Sequence, residues 1–157
     1  MLARLLPPYR ALGVHPLGRA GLCRRPGCGL SDAVMRIALV GLGGSVGSLA
    51  RYWLAGAVQG LNGWDFPLGT LSVNVAGSFV LGLVMALSLE RGLINADVRL
   101  LLSVGFCGGF TTMSAFSYET MALLRDGSLA AAMVNLALTI ITCCGAVWLG
   151  DLLARWL

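Results

Sequence analysis

The side chains able to do chemistry in this sequence are few, mostly neutral, and set inside long apolar runs. From Gly105 to Ser117 the chain reads Gly-Phe-Cys-Gly-Gly-Phe-Thr-Thr-Met-Ser-Ala-Phe-Ser. Gly108 and Gly109 carry the largest backbone entropy, and the hydroxyls of Thr111 and Thr112 can take over backbone hydrogen bonds. The spacing therefore predicts a helix break near Gly108-Thr112. Upstream, Asn74 shares a helical face with Thr70, Gly77 and Ser78; downstream, Asn135, Thr139 and Thr142 share another. Ion handling is the chemistry such a set allows. Half-helix N-termini offer amides to anions, whereas half-helix C-termini and unwound carbonyls coordinate cations. Neutral donors suit a small ion that must shed water without being trapped. The rings of Phe110 and Phe116 either present edges of positive quadrupole potential to an anion or pack against lipid and neighbouring helices.

An enzyme is not expected. No nucleophile with a base, P-loop, paired carboxylates or His/Cys/Asp cluster occurs. His15 stands alone among prolines and arginines. Cys107, Cys143 and Cys144 fall in apolar segments and read as small packing residues, and Cys23 and Cys28 lack a nearby ligand set.

The elements that position these groups are read from hydropathy. With 57% hydrophobic residues, 11% charged residues and a mean hydropathy of +0.84, the chain belongs with membrane proteins. Four apolar segments are long enough to cross a bilayer of ~30 Å at ~1.5 Å per residue. They run from Ile37 to about Val58, from Pro67 to Glu90, from Leu100 to about Leu124, and from Gly127 to Gly150. The expected fold is an all-α membrane protein of four transmembrane helices, the third broken, with no soluble domain left to receive a nucleotide or nucleic acid. Within it Asn74 serves either as interhelical glue or as a donor to a passing ligand. Arg51 either snorkels to the interface beside Tyr52 and Trp53 or pairs inside the assembly.

Residues 1–34 form a separate basic extension. They hold five arginines against Asp32, which accounts for the whole net charge of +4, and they contain four of the five prolines. Disorder is expected there, or a start placed too far upstream, with Met35 as the natural beginning. The four-helix membrane domain is then 35–157. A transit peptide should be amphipathic and Ser-rich, and a secretory signal needs an uninterrupted apolar core; neither pattern is present.

Three motifs together, Gly-Leu-Gly-Gly-Ser-Val-Gly-Ser-Leu-Ala-Arg-Tyr (41–52), Gly-Thr-Leu-Ser-Val-Asn-Val-Ala-Gly-Ser-Phe (69–79) and the 105–117 stretch, resemble the CrcB/Fluc family of fluoride channels. The resemblance covers Met35 to the C-terminus. It implies an antiparallel, dual-topology dimer in the bacterial inner membrane, with two fluoride pathways and a structural sodium ion on the two-fold axis, exporting toxic fluoride passively. By motif, Asn74 corresponds to the pore asparagine, Thr70 and Glu119 to polar residues near a pore end, and Arg51 to the first-span arginine. Gly108 and Thr111 would supply backbone carbonyls to sodium, and Phe116 is the second of two pore phenylalanines. The first falls at Met113, followed by Ser114, and Ala115 replaces a threonine; a thioether has no ring edge, so altered rate or selectivity is expected. Thr139 sits about where the family has a pore serine.

Two other readings remain open at this level. One is a partner subunit of a heterodimeric fluoride channel. Arg36, Arg91, Arg99 and Arg155 on one side outnumber Arg125 and Arg51 on the other, a mild bias toward an inside N-terminus, and the arginines of 1–34 would strengthen it. The other is a small four-span proton-coupled exporter. That would need a carboxylate at the centre of the first span, where there is none, and Glu119 lies toward the end of the third.

Overall fold

The computed structural model describes residues 29–61 and 66–157, and every regular element among them is helical. In chain order these are α1 (Leu30–Leu61), α2 (Leu68–Leu89), α3 (Ala96–Arg99), a π-helical segment (Leu100–Cys107), α4 (Gly108–Phe110), α5 (Met113–Arg125) and α6 (Leu129–Trp156). The elements from α3 to α5 form one span, Ala96–Arg125, so four helical stretches are long and apolar enough to cross a membrane. Most of the basic extension lies outside the described residues. Its last residues are helical, because α1 begins at Leu30 rather than near Ile37. No glycine or proline intervenes between Leu30 and Val40, and Asp32 in the first turn complements the helix N-terminus. The described residues up to Ile37 fall into a unit of their own, and the packing below is within Ala38–Leu157.

Glycine writes the contacts between spans. In lipid there is no hydrophobic gain from bringing two apolar helices together, so close backbone approach and dispersion must hold the bundle. Gly43 sits against the Leu101 carbonyl, Gly47 against the Phe106 carbonyl, and Gly109 against the Gly44 carbonyl, which locks α1 onto the third span. Gly69 abuts the Ala55 carbonyl, joining α1 to α2. Gly82 meets the backbone of Val147, and Gly150 meets Phe79 and Leu83, joining α2 to α6. Toward their C-termini the same two helices are tied by Arg155, which reaches Glu90 at 3.1 Å and Asp151 at 2.9 Å. These contacts require α2 and α6 to run in the same direction. The exposed charged triad is worth little in itself, about 0–1 kcal/mol per pair.

Leu100–Cys107 is wound with i→i+5 geometry, wider than the α-helix. Its outer carbonyls are the ones that α1's glycines approach. The turns after α2 and α5 use Gly92 (φ 65°) and Gly127 (φ 73°), where a side chain would be strained. Outside the bundle, Leu42, Leu49, Trp53, Ile140 and Ile141 are all exposed, as a lipid-facing surface requires.

Gly82→Ala is expected to destabilise the protein, because its methyl would meet backbone atoms of Val147 that cannot rotate away. Overpacking of this kind costs about 1–3 kcal/mol. Gly145→Ala, which faces open space, should be neutral or slightly stabilising given the ~1 kcal/mol helix propensity gain. Thermal unfolding of the two variants in detergent checks this; equal midpoints would contradict the glycine-contact account.

Candidate functional site

The third span breaks at two residues. α4 ends at Phe110, Thr111 (φ −85°, ψ 158°) and Thr112 (φ −148°, ψ 108°) are extended, and α5 restarts at Met113. An unbroken helix would send the Thr112 N–H to the Gly108 carbonyl. Instead it donates to Asn74 Oδ1 at 2.7 Å, while Asn74 Nδ2 donates to the Thr112 carbonyl at 3.2 Å. One carboxamide thus pairs with both polar groups of one backbone residue, as a neighbouring strand would. Both residues are buried. The Thr111 amide and hydroxyl both donate to the Cys107 carbonyl, at 2.9 and 3.0 Å. Thr112 Oγ1 caps α5 by accepting the Ala115 amide at 3.2 Å.

The break lies at the C-terminal edge of the range read from the sequence, and its glycines do something other than break the helix. Gly108 remains helical (φ −62°, ψ −38°), and Gly109 supplies the close approach to Gly44. Gly77, opposite on α2, leaves room for the Thr111 methyl and the Phe110 ring. Phe110 is buried and stacks on Phe106 with centroids 5.3 Å apart, which is the packing alternative for that ring.

A second layer of polar groups lies along α5. Thr70 Oγ1 donates to Glu119 Oε1 at 2.6 Å, and Glu119 Oε2 is buried with no partner among the described residues. Asn135 Nδ2 donates to Thr120 Oγ1 at 2.9 Å, and that hydroxyl donates to the Phe116 carbonyl at 2.7 Å. The Thr139 hydroxyl is buried and likewise has no partner. Because α2 and α6 run parallel with Gly82 beside Val147, Asn74 comes level with Thr139 and Thr70 level with Asn135. The result is a polar row enclosed by α2, α5 and α6.

Of the residues singled out in the sequence, Asn74, Thr70 and Glu119 join α2 to the broken span by hydrogen bonds, Thr139 comes level with Asn74, and Phe116 is buried with its carbonyl accepting from Thr120. Phe116 is only 4% exposed. Met113 does not join them: it is 71% exposed, on the outer side with Ser114 and Gly108. Arg51 is half-buried and forms no ion pair among the described residues. Thr112 and Thr120 were missed as site residues. Thr112 could have been suspected as the cap of a restarted helix, but nothing in the sequence marks Thr120, whose role comes from its contact with Asn135.

Four membrane-length helices, with one broken inside the bundle and its free backbone met by a buried asparagine, define a small multi-pass membrane protein built around an interior polar row. More narrowly, the chain belongs to the CrcB-like (Camphor Resistance) family, whose model matches residues 38–151. A Fluoride-specific ion channel FluC of Geobacter metallireducens is 47% identical over 124 residues, 79% of this chain and 100% of that protein. One from Pelobacter propionicus is 52% identical over 109 residues, 69% of this chain and 84% of its own length. A Methylococcus capsulatus protein of the same name is 45% identical over 116 residues, 74% of this chain and 51% of that protein.

Replacing Asn74 with Leu should leave the Thr112 amide buried and unpaired, a cost of roughly 1–3 kcal/mol. Hydrogen exchange at that amide is then expected to speed up by about ten- to a hundredfold while exchange in α2 changes little. Unaltered exchange at Thr112 would mean that the carboxamide does not hold the break.

Proposed function

We propose that this chain is a fluoride-selective channel that lets toxic cytoplasmic fluoride leave passively across a bacterial inner membrane. The observation that carries the reading is the Asn74–Thr112 clamp at the broken span, found in a chain 42–52% identical to proteins named as fluoride-specific ion channels. Fluoride is a small, strongly hydrated anion, and the second Nδ2 proton of Asn74 together with the Thr139 hydroxyl, which has no partner among the described residues, can replace part of its water without a fixed positive charge that would hold it. Asn74, Thr70, Thr139 and Phe116 are the lining residues, with Glu119 toward one end. Met113 and Ser114 would face the pathway from the outer side.

The working unit in this proposal is a dimer, either two copies in antiparallel, dual-topology arrangement or this chain with a homologous subunit. Interrupted backbone at membrane depth has to be covered by protein or line a cavity. Gly108, Met113, Ser114 and Ser117 lie exposed beside the break, and a second subunit would cover them. A sodium ion fits the same place by donor chemistry. Commitment of the Thr112 amide to Asn74 frees the Gly108 carbonyl from its helical partner. Thr111, the next proposed donor, is extended rather than helical. Hard cations take oxygen ligands, and among the described residues there is no group of three or more His, Cys, Asp or Glu side chains to form a different kind of metal site. When bound, sodium would supply fixed positive charge close to the anion path.

Liposomes carrying only this chain and loaded with fluoride should release it to an external fluoride electrode, with chloride retained. Release no faster than from empty vesicles would reject a self-sufficient channel, and equal chloride release would reject selectivity. Met113→Phe is expected to change the fluoride rate by severalfold while the assembled state seen by cross-linking stays the same; an identical rate would remove Met113 from the pathway.

A further inference from the structure

α5 is a short, separate helix. It is joined to α4 only through the extended pair Thr111 and Thr112. Its rotation about its own axis decides where Phe116 points. Two side-chain tethers reach it or its cap from α2, Asn74 to Thr112 and Thr70 to Glu119. The described hydrogen bonds from α6 to α5 consist of one, from Asn135 to Thr120.

That bond is placed to act on Phe116. A hydroxyl has one proton, and Thr120 gives its proton to the Phe116 carbonyl one turn back. The oxygen keeps lone pairs free to accept, and it accepts from the Asn135 amide. A threonine bonded back to the i−4 carbonyl bends its helix, so the strength of this bond bears on the local curvature at Phe116. Asn135 is 1% exposed, among the most buried residues of the described chain. A carboxamide in that setting is unfavourable without a partner.

We propose that Asn135 and Thr120 are positioning residues: the α6 amide, relayed through the Thr120 hydroxyl to the Phe116 carbonyl, fixes the rotation and bend of α5 and so the direction of the Phe116 ring in the polar row. The rate consequence rests on the fluoride-channel reading, but the geometry does not. The two are therefore tested by separate measurements.

For the geometry, 4-fluorophenylalanine is placed at position 116 of the full-length protein in detergent, and its 19F resonance is recorded. Asn135→Leu and Thr120→Val should each displace the resonance, and the double variant should give the same displacement as either alone. Thr120→Ser, which keeps the hydroxyl, should restore the original position. For the rate, each single variant should lower fluoride release about tenfold, the effect of losing roughly one hydrogen bond's contribution in the conducting state. The double variant should be no slower. Thr120→Val changes one hydroxyl to a methyl and keeps the test open if Asn135→Leu does not assemble. An unmoved resonance, or losses that add in the double variant, would overturn the proposal. A displaced resonance with no fluoride release from the unaltered protein would reject the fluoride reading and leave the positioning role standing.

Discussion

The rest of the structure depends on two hydrogen bonds between one side chain and one backbone residue. Where a helix is interrupted inside a bilayer, its freed N–H and C=O cannot turn to water, and each unpaired group costs several kilocalories per mole on the scale of transfer to hydrocarbon. Asn74 meets both at Thr112. A carboxamide suits this task because it carries a donor and an acceptor side by side in one plane, as a peptide group does. Ionised aspartate only accepts, serine carries donor and acceptor on one atom, and leucine has neither. The break can therefore persist, and its persistence separates a fixed inner layer of groups on α5 from an outer face that shows Gly108, Met113 and Ser114.

The clamp works only if α2 comes close enough to the third span, and glycine provides the approach. Gly77 makes room for Thr111 and Phe110 directly below Asn74, and Gly43, Gly47 and Gly109 hold α1 to the same span from the other side. Packing and polar chemistry are not independent here. A side chain at Gly77 would meet the Thr111 methyl and the Phe110 ring, which belong to the two residues just before the one that Asn74 clamps. The glycines that looked like helix breakers are in large part helix contacts, and the break falls at the threonines, because there a partner on α2 competes for the backbone amide.

The polar row was partly legible from the sequence. Spacing along single helices placed Thr70 with Asn74 and Asn135 with Thr139, since residues three or four apart share a face whatever the fold. The row itself was not legible, because it is made of pairs between helices: Thr70 with Glu119, Asn135 with Thr120. Such pairs depend on relative height and rotation, which one-dimensional periodicity does not contain. Thr120 was therefore invisible, and the outward placement of Met113 could not be separated from the inward placement of Phe116, although the two lie three residues apart.

The sequence by itself determined the class, the number of spans, and the approximate position of the break. Each of these follows from local quantities: apolar length against bilayer thickness, charge between segments, and the density of small and hydroxylated residues in one stretch. Tertiary structure alone decided which of Gly108 to Thr112 leaves the helix, which polar groups meet, and which are left without partners. The physical reason is that a backbone amide in lipid takes whichever acceptor is nearest, and for Thr112 that acceptor is carried by another helix, 38 residues away in the chain.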